Sequence, residues 1–154
     1  MAVSCKGNPI RQNEYISAGA IKIGDFVTLN SAGQVAVATA TQALVGVSNA
    51  VATAAGQAVQ VWDHPDQLFN VTRSATDPDL LTEYNLNYNI VANTTSGQEG
   101  NHTLDSASGA VTATLPLKAL RPSLDAPKLG EGGAAVICII NNHQLKGGTG
   151  SAGI

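Results

Sequence analysis

The strongest constraint on this chain is the spacing of its apolar residues. They alternate with polar or small residues in short runs, and Gly, Asn, Asp and Ser separate the runs. A period of two is the signature of a strand with one buried face. In Gly24-Asp25-Phe26-Val27-Thr28-Leu29, Val27 and Leu29 share a face. Asn30-Ser31-Ala32-Gly33 is a turn signal, and Val35, Val37 and Thr39 alternate again beyond it, which predicts a β-hairpin. Ala43-Leu44-Val45-Gly46-Val47 reads as a further strand, with Gly46 marking a bulge or a close backbone approach. Gln57–Trp62 alternates, and Phe69 and Val71 do so against Asn70 and Thr72.

Two stretches compete with this reading. Residues 36–58 are rich in alanine, the best helix former. Their valines and threonines are β-branched, and Gly46 and Gly56 interrupt them, so strand is preferred. Asp77 as a cap, Pro78 at the first helical position, and Asp79 and Glu83 in the segment to Tyr84 predict one short connector helix.

The second half repeats the pattern. Tyr88–Val91 is strand-like, a polar loop runs from Ala92 to Asn101, and Val111, Ala113 and Leu115 alternate with Thr112 and Thr114. Pro116 and Pro122 around Leu117–Leu120 predict an edge strand. After the loop Ser123–Gly133, the run from Ala134 to Ile140 is apolar on both faces, as a covered central strand would be. The fold class is therefore all-β. A single-domain β-sandwich or barrel is expected over residues 15–146, with a polar N-terminal arm (1–14) and a flexible C-terminal tail (147–154).

Composition narrows the function. Of 154 residues only 12% are charged, about half the usual ~25%. The net charge of −3 argues against a nucleic-acid partner. No apolar run reaches the ~18 residues of a membrane span, and the polar N-terminus has no signal-peptide pattern. Ample Val, Ile and Leu argue against disorder. A monomer normally carries more charge for solubility, so the neutral surface calls for cover.

Catalytic chemistry is not evident. His64, His102 and His143 lack metal-ligand spacing with one another. Asp63-His64-Pro65-Asp66 could hold a divalent ion, but a turn is the simpler reading. No Gly-x-Ser-x-Gly elbow is present, and the glycine-rich 147–151 has no helix after it to cradle a phosphate. Cys138 reads as a buried structural thiol and Cys5 has no local partner. Asn70, Asn93 and Asn101 each open an Asn-x-Thr triplet, which chance supplies in a Thr-rich chain. The reading is no enzyme, no cofactor and no metal. Trp62 and the tyrosines Tyr15, Tyr84 and Tyr88 fit core or interface packing better than a sugar-stacking platform.

Several stretches carry a resemblance. They are Gly24–Leu29 followed by Ala43–Val47, and the Asp63–Asp66 turn with Leu68-Phe69-Asn70-Val71. Next come Leu104-Asp105-Ser106, Ala113–Pro122 and Val136–Leu145. In that order, over residues 20–146, the chain resembles the head decoration, cement or minor capsid proteins of tailed bacteriophages. The arm departs from that family, carrying Ser4-Cys5-Lys6-Gly7-Asn8-Pro9-Ile10-Arg11 where relatives have a longer, aromatic-containing segment.

The resemblance implies a structural virion protein without catalytic residues. It would be synthesised in the host cytoplasm and bound to the capsid exterior. Its partners would be the major capsid protein and itself, as a trimer at quasi-three-fold junctions or, second, a dimer, with no nucleic acid and no membrane. Ile10, Arg11, Tyr15, Trp62, His64, Asn142 and His143 are the expected capsid or subunit contacts. The alternative is a receptor- or glycan-binding β-module of a phage tail or surface structure. A small metal-dependent hydrolase around His64 is the third reading.

Overall fold

The computed structural model describes residues 3–74, 84–91, 102–123, 135–147, 150 and 153. Twelve strands are named: β1 (Val3–Cys5), β2 (Asn13–Ile16), β3 (Phe26–Leu29), β4 (Val35–Val37), β5 (Gly46–Ser48), β6 (Ala58–Trp62), β7 (Leu68–Thr72), β8 (Asn87–Tyr88), β9 (Ile90–Val91), β10 (Thr103–Leu104), β11 (Leu117–Pro122) and β12 (Ala135–Ile140). All strand pairings are antiparallel, and the all-β expectation holds.

One sheet has the order β2-β6-β5-β3-β4. It curls until its edges meet: Ser17, just after β2, bridges Val35 at the start of β4, and the Ala18 N–H donates to the Val35 carbonyl at 2.7 Å. The result is a small closed barrel, which leaves few unpaired edge groups. Its interior holds Ile21, Val27, Val35, Val45, Ala52, Val59 and Val61, all narrow enough for so tight a lumen. Gly46 belongs here because a Cβ would collide with the Trp62 carbonyl oxygen. The expected close backbone approach at Gly46 is therefore present.

The second sheet has the order β1-β7-β12-β11-β8 and packs on the outer face of the barrel. Strand alternation sends neighbours to opposite sides: Phe26, Leu44 and Trp62 face this seam, whereas Val27, Val45 and Val61 face the lumen. Val3, Phe69, Val71, Leu117, Val136, Cys138 and Ile140 meet them from the sheet. Phe26 and Phe69 contact edge to face, with centroids 6.4 Å apart. The short pair β9–β10 adds Ile90 and Leu104 to the seam.

The segment expected to be an irregular arm (1–14) is, over its described part, a strap with a strand at each end. β1 pairs with β7 and β2 pairs with β6 in the same register, Val3 opposite Val71 and Asn13 opposite Val61, and residues 6–12 between them lie outside any strand. The strap therefore belongs to both sheets. Val3 is wholly buried in the seam, which no polar arm would require. Cys5 and Cys138 both flank Phe69 from strands on either side of β7. Two strand spacings separate them by roughly 10 Å, too far for a disulfide, and both thiols are free.

Three further expectations change. Residues 111–115 are not a strand. Their carbonyls are taken by side chains: the Asn141 amide donates to Ala113 and Leu115, and that of Asn142 donates to Thr114. β11 is not an edge, since Leu117 and Lys118 pair with β12 on one side and β8 on the other. Pro116 and Pro122 sit before the strand and at its end, where a missing N–H does little harm. In the tail, Gly153 donates to the Val111 carbonyl at 3.1 Å, and Gly150 lies so close to Ala113 and Asn141 that no side chain would fit. The connector helix over 77–83 and the loop over 92–101 fall outside the described residues, as does nearly all of 123–133. Among the described residues two short 3₁₀ turns are present, Ser106–Ser108 and Gln144–Lys146.

Candidate functional site

Where the strap passes from one sheet to the other, it crosses the turn between β6 and β7. This turn is the Asp63-His64-Pro65-Asp66 segment. The Gln67 N–H donates to the His64 carbonyl at 3.0 Å, and the Asp66 N–H donates to His64 Nδ1 at 3.1 Å. The turn expected from sequence is present, and His64 is occupied in shaping it.

Asp63 is the centre of the site. Its carboxylate is fully buried yet accepts three side-chain bonds from the strap. Arg11 Nε donates to Oδ1 at 2.8 Å, and Asn13 Nδ2 and the Tyr15 hydroxyl donate to Oδ2 at 2.8 and 2.5 Å. Arg11 Nη2 also reaches the Asp63 carbonyl at 3.1 Å. Arg11, Asn13 and Tyr15 lie on alternate positions, so one face of a strand delivers all three donors to one carboxylate. Burial pushes the Asp63 carboxyl up. The bonds from Tyr15, Arg11 and Asn13 and the Arg11 charge outweigh it and hold the group below the usual carboxylate value. The Tyr15 phenol moves the other way, raised by burial and then by its bond to the Asp63 anion. A buried anion with donors on both oxygens costs much to break and little to keep.

The corner continues outward. Gln67, buried, accepts the Ile10 N–H on Oε1 at 2.8 Å and donates to the Leu68 carbonyl at 2.9 Å. His143 is buried in the same region and accepts the Leu145 N–H on Nδ1 at 3.1 Å, capping the second 3₁₀ turn. Burial pushes its pKa down to about 4, with the Asp63 charge opposing and Lys146 and Arg11 reinforcing. Lys146 pairs with Asp66 at 3.3 Å, both exposed. Ile10 and Leu145 stand out from this corner, 56% and 46% exposed.

The seven expected contact residues therefore divide. Arg11, Tyr15 and His64 gather around Asp63, and Ile10 beside them is exposed. Trp62, Asn142 and His143 are buried, so their side chains are not contact surface on this chain. Trp62 serves the seam core, in line with the packing reading. Sequence reasoning missed Asp63 as the hub, and Asn13 and Gln67 with it. The signal available was the alternation Arg11, Asn13, Tyr15, but nothing local points it at position 63.

The arrangement holds chain segments together. Burial raises the Cys5 thiol to about 12 and the Cys138 thiol beyond that, far from a reactive thiolate. Among the described residues no cluster of three His, Cys, Asp or Glu could hold a metal ion, and no helix is long and apolar enough to cross a membrane. The chain matches no protein-family model and no curated protein.

Proposed function

We propose that this protein is a structural virion subunit of the capsid decoration or cement class. It binds the outer surface of an icosahedral phage capsid and stabilises the shell by bridging capsid subunits. The observation that carries this reading is the scarcity of charge, at 12% of residues. Of the described charged residues, Asp25, Asp63 and Arg73 are buried and do not reach the surface. Interface centres are depleted of charge in the same way. Exposed Ile10, Ile16, Val91, Val111 and Leu145 add apolar contact points. The segments that resemble cement proteins also coincide with the framework: β3, β5, β7, β11 and β12 with its 3₁₀ turn.

Repetition over a lattice lets weak contacts sum to firm retention, and a self-associating trimer, with a dimer as the second choice, would multiply them again. The glycan-binding alternative loses part of its motive, because Trp62 and Tyr88 are buried and Tyr15 is engaged by Asp63. The test is the heat resistance of particles with and without the protein. Particles lacking it should release DNA at lower temperature or in chelator, and equal resistance would overturn the reading.

A further inference from the structure

Two buried histidines accept a backbone N–H on Nδ1 at two joints of the fold, His102 across its joint and His143 within the turn that carries its joint, as His64 does in its own turn. The Phe26 N–H donates to His102 Nδ1 at 2.9 Å, and the Leu145 N–H donates to His143 Nδ1 at 3.1 Å. A ring nitrogen that accepts is unprotonated, so each bond exists only while its imidazole is neutral. His102 sits just before β10 and stacks on the Phe26 ring at the start of β3, centroids 5.9 Å and planes 12° apart. His143 sits just after β12 and bridges Leu44 of the barrel. The residues on either side complete that joint. The Leu44 N–H donates to the Asn142 carbonyl at 2.9 Å and the Gln144 N–H to the Leu44 carbonyl at 2.8 Å. The Gln144 side chain then holds the N–H and carbonyl of Leu29 at the end of β3, at 2.7 and 3.0 Å. One strand of the barrel is thus tied to sheet-side segments at both ends, each tie at or beside a neutral histidine.

We propose that His102 and His143 form an acid-operated latch, which holds the barrel to the start of β10 and to the turn after β12 while both rings are neutral and releases β3 and the segment before β5 when they take up protons. Protonation would place an N–H on Nδ1 facing the backbone N–H it now accepts, so both donors would lose their partner. An apolar side chain would serve packing alone better, because His102 Nε2 is a buried polar atom with no partner among the described residues. The charged groups acting on the rings are few. Burial disfavours charge on His102 and Asp25 opposes it. For His143 burial dominates, Asp63 opposes through its charge and backbone, and Lys146 and Arg11 reinforce.

The sign follows from proton binding. An opened joint returns each ring to water, where it titrates near 6.5, so the open form binds more protons below that pH. Opening therefore eases as pH falls below about 6.5 and, for His143, levels off below about 4. For that ring alone the opening constant at pH 4 rises on the order of 10²-fold over its value at pH 8. The Asp63 clasp stays charged through this window, since its carboxyl titrates below the usual carboxylate value.

The test is amide exchange by nuclear magnetic resonance on the full chain, with ring protonation followed in the same titration. Between about pH 7.5 and 4.5, protection at the Phe26 and Leu145 amides should fall at least ~10-fold, while the β7–β12 ladder keeps its protection. His102→Asn and His143→Asn retain an acceptor at the same place without a titrating proton, and each should abolish the fall at its own joint. Protection independent of pH would overturn the latch, as would equal loss at all amides or a fall that persists in both Asn variants. If the variants do not fold, the two sets of wild-type amides decide the matter alone.

Discussion

The barrel lumen and the seam between the sheets are both buried apolar cores, yet they are built differently. The lumen is lined by valines with Ile21 and Ala52, all drawn from residues 21–61. The seam uses Phe26, Phe69, Trp62 and Tyr88, and joins residues as distant as Val3 and Ile140. Polar anchors follow the same division. Asp63, His102 and His143 stand at the seam or its rim, where segments far apart in sequence must be held in register. A short-range core is shaped by β-branched side chains and tight turns, whereas a long-range one needs bulk and directional bonds.

The largest effect expected on this contrast is at Gly46, where the barrel wall meets its own backbone. Gly46→Ala drives a Cβ into the Trp62 carbonyl and should cost more than ~4 kcal/mol or prevent folding, read by denaturant titration. Phe69→Ala empties the centre of the seam and should cost about 3–5 kcal/mol. By the same measurement Val59→Ala in the lumen should cost only about 2 kcal/mol. Equal costs at Phe69 and Val59 would erase the distinction between the two cores.

Asp63→Asn comes next, at about 1–3 kcal/mol, because the amide can no longer accept on both sides. Its diagnostic readout is local: trypsin should cut after Arg11 faster in the variant while the β7–β12 ladder stays protected. The clasp should also survive to low pH. A carboxyl held below its ordinary value contributes stability above that value and loses it only as pH falls through the lowered one. The smallest effect is at Lys146→Ala, whose pair with Asp66 is exposed on both sides. It should change stability by less than ~0.5 kcal/mol.

Much of the barrel was legible in sequence because its information is local. The β3–β4 hairpin and the close approach at Gly46 both follow from alternation and turn residues within a few positions. The seam and the site were less legible for the opposite reason. Asn141 and Asn142 reach back to the carbonyls of residues 113–115 and convert an alternating stretch into a turn. The polar residues 4–14 read as a loose arm because their partners lie far along the chain, at β6, Asp63 and β7. The alternation of Arg11, Asn13 and Tyr15 does not name the anion they meet, which only the folded chain supplies.

The proposed role as a cement subunit turns on whether this neutral surface is covered by a shell lattice. The direct measurement is the copy number and position of the protein in purified particles by cryo-electron microscopy. Several hundred copies at repeating points on the capsid exterior are the predicted result. A few copies at a single vertex, or none on the particle, would contradict it.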